Sequence, residues 1–152
     1  MIRRQLSRSA TDRDPSARWN AFIDLLATEE FDDLTPTQRQ AYLAFWYDCE
    51  VQNGGHLQYF ENEAGARAGD AVGALRAIGA LCQAAVLAAA VQQRSDRERD
   101  APSTAEQYVE LARQGEFDHL DAKYGACEPP LTAVLEHYLD AHEAEFLQYV
   151  AG

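Results

Sequence analysis

The chain has 152 residues, a length that suits one compact domain and is short for two. Thirteen Lys and Arg residues stand against 25 Asp and Glu residues, which gives a formal net charge of −12 at pH 7. This balance disfavours direct binding to nucleic acid or to an anionic membrane surface, because both need cationic side chains, and it favours a basic protein partner. The hydrophobic content of 47% argues against a chain that is disordered throughout.

The charge is unevenly distributed along the chain. Residues 1–18 contain five arginines and two aspartates, a net charge of +3, so residues 19–152 carry −15. We predict a flexible basic tail over residues 1–12 that is able to lie on the acidic body, either of its own chain or of a neighbouring subunit. Residues 13–152 are predicted to form a single acidic α-helical domain.

The first half of the chain predicts two helices that begin in the same way. Asp14 and Thr35 are each followed by proline, the pattern of an N-cap residue before the first helical position. Apolar residues then recur at intervals of three and four, as they do on one face of a helix. The buried stripes consist of Trp19, Phe22, Ile23 and Leu26 in the first helix and of Tyr42, Phe45, Trp46 and Cys49 in the second.

Glycines predict the breaks in the middle of the chain. Asn53-Gly54-Gly55 is expected to end the second helix, because Asn and Gly tolerate the left-handed backbone of a helix C-terminus. Residues 56–62 then predict a short helix. A region rich in Ala, Leu and Val, from about residue 70 to residue 93 and broken near Gly79, is predicted to occupy the centre of the bundle.

The last third of the chain predicts a loop over residues 94–102 and two or more further helices. Ser103 and Glu106 have the spacing of a capping box, and a final helix is expected over about 131–150. No segment shows a convincing alternation typical of a strand. The predicted fold class is therefore all-α: a single-domain, multi-helix bundle of about six helices with an N-terminal flexible arm.

Three cysteines, Cys49, Cys82 and Cys127, are widely spaced and form no C-x-x-C pair, so we expect reduced thiols. Cys49 and Cys82 lie in apolar helical surroundings and are predicted to be small core residues. The most apolar run, over residues 81–91, is far shorter than the ~20 residues of a membrane span, and no secretory signal is evident. These features predict a cytoplasmic protein.

Signals for metal or catalytic chemistry are weak. The E-x-x-H pattern of carboxylate-bridged di-iron sites occurs once, from Glu116 to His119, whereas such a site needs the pattern on two helices. His137 and His142 are five residues apart and therefore point to different faces of a helix. The sequence contains no nucleophile elbow, phosphate loop or dinucleotide fingerprint. We expect no metal, no cofactor and no catalytic residue, and thus a protein that is not an enzyme.

Acidic side chains form the most informative pattern in the sequence. The last predicted helix carries acids at i, i+4 and i+7, a solvent-facing stripe with successive carboxylates ~4.5–6 Å apart along the axis. One strand of B-DNA has a phosphate every ~3.4 Å, so several acidic segments side by side are needed to approximate its charge. The residues predicted to bind a partner are Glu29, Glu30, Asp32, Asp33, Asp48, Glu61, Glu63, Glu136, Asp140 and Glu143. An acidic surface also keeps a protein soluble, and composition leaves that alternative open.

Residues 50–62 read Glu-Val-Gln-Asn-Gly-Gly-His-Leu-Gln-Tyr-Phe-Glu-Asn. This segment resembles the signature of the DNA mimic protein 19-like family, whose pattern is roughly E-V-x-N-G-G-x-x-Q-[FY]-F-x-N. Positions within 38–42 and 74–80 also resemble that family. Two positions depart from the pattern: His56 stands where the family usually has a large aromatic residue, and Gln52 stands where Asn is common.

The resemblance implies an all-α fold, a homodimer and, for at least some members, a protein surface that mimics DNA and covers the DNA-binding face of a regulator. The signature itself is interpreted as structural, because its glycines suit a sharp turn, its aromatic rings can pack on the bundle and its amides can cap exposed backbone. These residues are Asn53, Gly54, Gly55, Gln58, Tyr59, Phe60 and Asn62.

Three functions fit these observations. The leading hypothesis is a non-enzymatic acidic protein that binds a basic DNA-binding protein, either a regulator or a nucleoid-type protein, and competes with DNA. The second is an immunity or antitoxin-like inhibitor of a basic nuclease or other toxin, which shares the charge argument. The third is a small enzyme or ligand-binding bundle with a polar pocket that contains His56 or the Glu116–His119 pair.

Overall fold

A computed structural model describes residues 1–96 and 99–152, most of which are helical. Eight α-helices are found in the described part of the chain: α1 (Arg8–Arg13), α2 (Ala17–Thr28), α3 (Pro36–Glu61), α4 (Ala68–Ala77), α5 (Leu81–Ser95), α6 (Ala105–Gln114), α7 (Asp118–Gly125) and α8 (Leu131–Phe146). Shorter elements are the strands β1 (Arg4–Ser7) and β2 (Leu147–Val150) and the 3-10 turns Phe31–Asp33 and Glu63–Arg67. The predicted all-α fold class is confirmed, with more helices than the six expected.

The start of α3 follows the sequence pattern closely. The Thr35 hydroxyl accepts a hydrogen bond from the Gln38 backbone N–H at 3.2 Å, and the Gln38 side chain accepts one from the Thr35 N–H at 3.0 Å. Pro36 occupies the first helical position, where its missing N–H costs nothing. This capping box fixes the direction in which α3 leaves the preceding acidic turn.

Two other helix starts lie one or two residues later than predicted. The Asp14 carboxylate accepts from the Ser16 N–H at 2.9 Å, which makes a turn, and α2 begins only after Ser16. At α6 the cap is Thr104, whose hydroxyl accepts from the Gln107 N–H at 3.1 Å, and not Ser103 with Glu106. In both places a neighbouring side chain of similar chemistry competes for the same role.

Helix α3 bends sharply at the glycine pair instead of ending there. Gly54 and Gly55 have non-helical backbone angles, and the φ of +73° at Gly55 lies in the left-handed region that favours glycine. The chain resumes a helical path over the short segment predicted for residues 56–62. The break predicted near Gly79 separates α4 from α5, and the φ of Gly79 is +91°.

The core surrounds α3, which contacts α2, α4, α7 and α8. The Ala-rich region that we predicted at the centre forms α4 and α5, which pack on each other and on one side of α3 and α7. Leu81 at the start of α5 is 66% exposed, so this region has one outward face. The largest fully buried side chains include Phe22, Leu25, Tyr47, Tyr59, Leu75, Leu87, Leu135 and Phe146.

The N-terminus differs from the flexible arm that the sequence predicts. Strand β1 pairs in parallel with β2, with Arg4 opposite Leu147 and Ser7 opposite Val150, and the predicted last helix correspondingly stops at Phe146. The short helix α1 follows, capped by Ser7. The two paired segments lie at opposite ends of the sequence. No local sequence pattern therefore predicts that they pair.

The cysteine prediction is corrected by a disulfide between Cys82 and Cys127, whose Cα atoms are 5.7 Å apart. Cys82 is exposed and Cys127 is 4% exposed, the reverse of the core position expected for Cys82. The bond joins the start of α5 to the loop after α7, where Pro129 follows a cis peptide bond. The two residues are 45 positions apart, so the pairing depends on tertiary packing and is invisible in the spacing of the cysteines.

No helix within residues 1–96 and 99–152 combines the length and the apolar character that crossing a membrane requires.

Candidate protein-binding surface

A buried polar network lies directly beneath the glycine bend. The His56 side chain is fully buried; its Nε2 atom is 2.7 Å from the Tyr47 hydroxyl and its Nδ1 atom is 2.6 Å from Asp121 Oδ1. The same carboxylate oxygen accepts from the His56 backbone N–H at 2.9 Å. Burial lowers the pKa of His56, although the hydrogen bond and charge of Asp121 oppose the shift. The neutral ring therefore ties α3 to α7.

The polar residues of the signature surround one carboxylate. Glu50 Oε2 accepts a hydrogen bond of 2.7 Å from Gln58 Nε2 and another of 2.7 Å from Asn62 Nδ2. Asn53 Nδ2 donates to Gln58 Oε1 at 3.2 Å. These bonds cross the bend and hold both arms of α3 at one angle. Signature residues Tyr59 and Phe60 are buried beneath them.

Two of the predicted acidic segments meet beside this bend. Glu30 and Glu63 both line a cavity of about 350 Å³ between the 3-10 turn Phe31–Asp33, α3 and the 3-10 turn Glu63–Arg67. Glu50 lines the same cavity, and we call it the acidic groove. The carboxylates of Glu30 and Glu63 also lie close enough to Tyr42 to add to the rise in its pKa, which is caused mainly by burial and opposed by Arg67.

The acidic surface continues from the groove towards α6. Burial raises the pKa of Tyr108, and the negative charges of Glu61 and Glu50 add to that rise. Asp32 and Asp33 are exposed on the 3-10 turn next to the groove. Within the described residues, neither Asp33 nor Glu61 has a side-chain ion pair or hydrogen bond.

Arginines near the N-terminus form ion pairs with other acids that were predicted to bind a partner. Arg4 Nη1 lies 2.8 Å from Glu29, and its Nε atom donates to Asp24 at 2.5 Å. Arg18 lies 3.0 Å from Asp140 and 3.0 Å from Glu143, so two of the three acids in the α8 stripe are ion-paired. The basic N-terminal segment therefore lies on the acidic body of its own chain.

Glu143 is the most constrained acid of the α8 stripe. Its carboxylate accepts two bonds from Arg18 and one of 2.5 Å from the Tyr149 hydroxyl. Burial alone would raise the pKa of Glu143, but the hydrogen bonds from Tyr149 and Arg18 outweigh it and hold that pKa below its usual value. Glu136, by contrast, is exposed and has no side-chain partner among the described residues.

Asp48 is not part of the outer acidic surface that the sequence predicts. It is half-buried against α7, where it accepts a hydrogen bond from the Tyr124 hydroxyl. Burial raises the pKa of Tyr124, and the bond to Asp48 adds to the rise, so the phenol remains protonated. This carboxylate serves the internal packing of α3 on α7.

The structure thus divides the ten predicted residues into three groups. Those without a side-chain ion pair or hydrogen bond in the described part of the chain are Glu30, Asp32, Asp33, Glu61, Glu63 and Glu136. Those paired with arginine are Glu29, Asp140 and Glu143. Asp48 is hydrogen-bonded internally.

Sequence reasoning missed the aromatic side of this surface. Tyr42 and Trp46 are predicted as part of a buried stripe, yet both are only half-buried and line the acidic groove. Glu50 was also absent from the predicted set. A signal was present, since acids at 30, 50 and 63 flank an aromatic-rich helix, but only the bend in α3 brings them together.

The Glu116–His119 pair forms no candidate metal centre. The Glu116 carboxylate accepts from the Arg99 guanidinium, and His119 is exposed on α7. In residues 1–96 and 99–152, no three His, Cys, Asp or Glu side chains are grouped as metal ligands would be. A smaller cavity of about 130 Å³ is lined by Glu116 and Asp121.

Comparison with known proteins points to one family. A model of the family described as DMP19-like protein matches residues 32–142, which include the bend and most of α8. The match also covers most of the acidic groove, but Glu30 and Phe31 lie just before it. No curated protein and no solved structure matches the chain at a significant level.

Proposed function

The chain belongs to the DMP19-like protein family, and on that premise we propose that it is a non-enzymatic acidic protein that occupies the DNA-binding surface of a basic DNA-binding protein. The partner would be a regulator or a nucleoid-type protein, and the competitor would be DNA. The observation that supports this function is the meeting of Glu30, Glu50 and Glu63 in the acidic groove, where none of the three forms an ion pair within the described residues.

The mechanism is electrostatic. Carboxylates take the place of phosphates and contact Arg and Lys side chains of the partner, so affinity and association rate fall as salt rises. Residues 19–63 contain nine acids and a single Lys or Arg residue, Arg39, whose guanidinium donates to the Phe31 carbonyl at 3.0 Å. Few internal counter-charges compete with the partner for this surface.

The α8 stripe has a secondary role in this proposal. Arg18 already neutralises part of the charge of Asp140 and Glu143, and reversing these acids would also break contacts with the N-terminal segment. Substitutions at Glu30 and Glu63 test partner binding more cleanly, because both side chains are exposed and are not needed for internal ion pairs.

We also propose a homodimer as the working unit, by extension from the family resemblance. Two copies would double the number of carboxylates presented to a two-fold symmetric regulator. Sedimentation equilibrium of the full chain measures this directly, and a monomer at all concentrations would contradict it.

The test is capture from a lysate of the native host with the purified full chain, at low and at raised salt. The expected result is a DNA-binding protein that is retained at low salt, released at high salt and displaced by duplex DNA. The double variant Glu30→Lys/Glu63→Lys should lose the capture. The matched control Glu106→Lys/Glu110→Lys makes the same charge change on the exposed face of α6 and should retain most of it.

Other outcomes would overturn the proposal. A single enzyme retained at high salt would instead identify an immunity-type inhibitor, because tight inhibitors depend on more than screened charge. Failure to retain any specific protein at low salt would point to a small-molecule function. Equal loss of capture in both double variants would show that net charge, and not this surface, determines binding.

A further inference from the structure

Beyond its charge, the acidic groove has walls that suit a particular cation. Its volume of about 350 Å³ is at the lower end of the range for ligand sites in proteins, and it is open to solvent along one side. We propose that it receives one arginine side chain of the basic protein partner. This inference rests on the proposed function and names the group that the surface recognises first.

Three aromatic rings form the wall of the groove. The ring centroids of Phe31 and Tyr42 are 5.5 Å apart, and those of Tyr42 and Trp46 are 6.2 Å apart, with interplanar angles of 58° and 57°. Trp46 is held in place because its indole N–H donates to the Leu26 carbonyl at 3.1 Å. The ring faces of this wall offer the negative quadrupole that attracts cations.

One ring of this wall, Phe31, already binds guanidinium groups of this chain. The Arg67 guanidinium carbon lies 3.9 Å from the centroid of the Phe31 ring, and that of Arg39 lies 4.8 Å from it. Arg39 is fixed by the backbone carbonyls of Phe31 and Asp32. Both guanidinium groups lie against the Phe31 ring, whereas within the described residues no cation is stacked on Tyr42 or Trp46, which are left for a cation from outside.

The carboxylates at the rim of the groove outnumber the one cationic side chain that lines it. Glu30, Glu50 and Glu63 line the groove together with Arg67, so three negative charges meet one positive charge. Glu50 is oriented by Gln58 and Asn62, which both bind its Oε2 atom. Its Oε1 atom accepts no hydrogen bond within the described residues.

A carboxylate beside an aromatic face is a better match for arginine than for lysine. The guanidinium is planar, donates along two edges at once and is weakly hydrated, so it can stack on a ring while it binds a carboxylate. The ammonium of lysine is a compact, strongly hydrated charge that does not stack. The groove is thus expected to distinguish two cations that a merely acidic surface binds equally.

Trp46 provides the readout for a binding experiment. The chain has two tryptophans, so a Trp19→Phe background leaves Trp46, in the groove wall, as the single indole. The probes are acetylated and amidated peptides of nine arginines or nine lysines, which have equal charge. We expect the arginine peptide to change Trp46 fluorescence and to bind about threefold to tenfold more tightly than the lysine peptide, the range of a cation–π contact.

Variants distinguish the contribution of the groove to binding from that of the overall net charge. In the same background, Glu30→Gln/Glu63→Gln should remove the preference for arginine, and Tyr42→Leu should remove it without changing the net charge. The control Glu106→Gln/Glu110→Gln loses the same charge on α6 and should keep the preference. Thermal melting verifies the fold of each variant, and Glu63→Gln alone, at an exposed side chain, covers the case in which Tyr42→Leu fails to fold.

The possible outcomes distinguish this inference from the proposed function. Equal binding of both peptides, with the groove variants no different from the α6 control, would overturn the arginine site and leave electrostatic mimicry of DNA intact. Failure of both peptides to bind at low salt would overturn both. An arginine preference that disappears only in the groove variants would support both.

Discussion

At the level of single residues, His56 makes the stability of the fold depend on pH. Its ring is fully buried between Tyr47 and Asp121, and burial lowers its pKa below the usual 6.5. The unfolded chain therefore takes up a proton at a pH where the folded chain does not. The stability that the neutral ring contributes is present above the unfolded pKa of about 6.5 and is lost as the pH falls from there through the lower pKa of the folded state.

We predict that the free energy of unfolding of the wild type falls between about pH 7.5 and pH 5.5. In His56→Phe this dependence should be flatter, although the variant is less stable overall by about 1–3 kcal/mol because Tyr47 and Asp121 lose a partner. Urea unfolding at several pH values measures both quantities. The exposed His137→Gln control should keep the wild-type slope, and an equal slope in His56→Phe would contradict the prediction.

The disulfide gives a second prediction at this level. Thiol titration of the oxidised, denatured protein should count one free thiol, that of Cys49, and full reduction should raise the count to three. Because the bond closes a loop of 45 residues, its reduction should lower the free energy of unfolding by about 2–4 kcal/mol. Cys49→Ala serves as the control, since it should leave the effect of the reductant unchanged. Three thiols without reductant would contradict the bond.

At the level of elements, the bend in α3 determines which acidic segments meet. Gly55 has a φ of +73°, and a Cβ atom there would collide with the Asp121 carboxylate that binds His56. We predict that Gly55→Ala lowers the free energy of unfolding by more than about 1 kcal/mol, because it is strained in both backbone and packing. Thermal or urea unfolding measures the change.

Gly69 provides the matched control for that prediction. It lies in α4, and a Cβ atom built on it meets no other atom within 4 Å. Because Gly69 lies in the first turn of α4, Gly69→Ala should raise stability by no more than about 0.5–1 kcal/mol, the gain that alanine gives in a helix interior. If Gly55→Ala is as stable as the wild type or as Gly69→Ala, the bend does not require glycine.

Much of this architecture follows from local chemistry in the sequence. The capping box of Thr35 and the breaks at Gly54-Gly55 and Gly79 depend only on neighbours in the chain, and sequence patterns predict them. The pairing of β1 with β2 and the Cys82–Cys127 bond join distant segments, so no local pattern contains them.

The candidate surface was predictable in composition but not in arrangement. The excess of acids is evident from the sequence, whereas the pairing of Arg18 with Asp140 and Glu143 depends on how α2 packs on α8. Tyr42 and Trp46 follow a helical apolar stripe that sequence analysis assigns to the core. They stay half-exposed because the chain after the bend leaves a groove beside them.

At the level of the whole molecule, two electrostatic effects oppose each other. Arg4 and Arg18 form partly exposed ion pairs with acids of the body, and such pairs contribute about 1 kcal/mol or less each. The remaining acids carry most of the net charge of −12 and repel one another in the compact state. Salt screens both effects, so the sign of its influence on stability shows which one dominates.

We predict that repulsion dominates, and that the melting temperature rises when NaCl is increased from about 0.02 M to about 0.5 M, where the screening length falls from over 20 Å to below 5 Å. Glu30→Gln/Glu63→Gln should melt at a higher temperature than the wild type in low salt, and the difference should shrink in high salt. Arg18→Gln should show a larger gain with salt, because it leaves Asp140 and Glu143 uncompensated. Differential scanning calorimetry in NaCl measures all three proteins. A melting temperature that falls with salt would mean that the ion pairs of the N-terminal arginines stabilise the fold by more than the repulsion among the acids destabilises it.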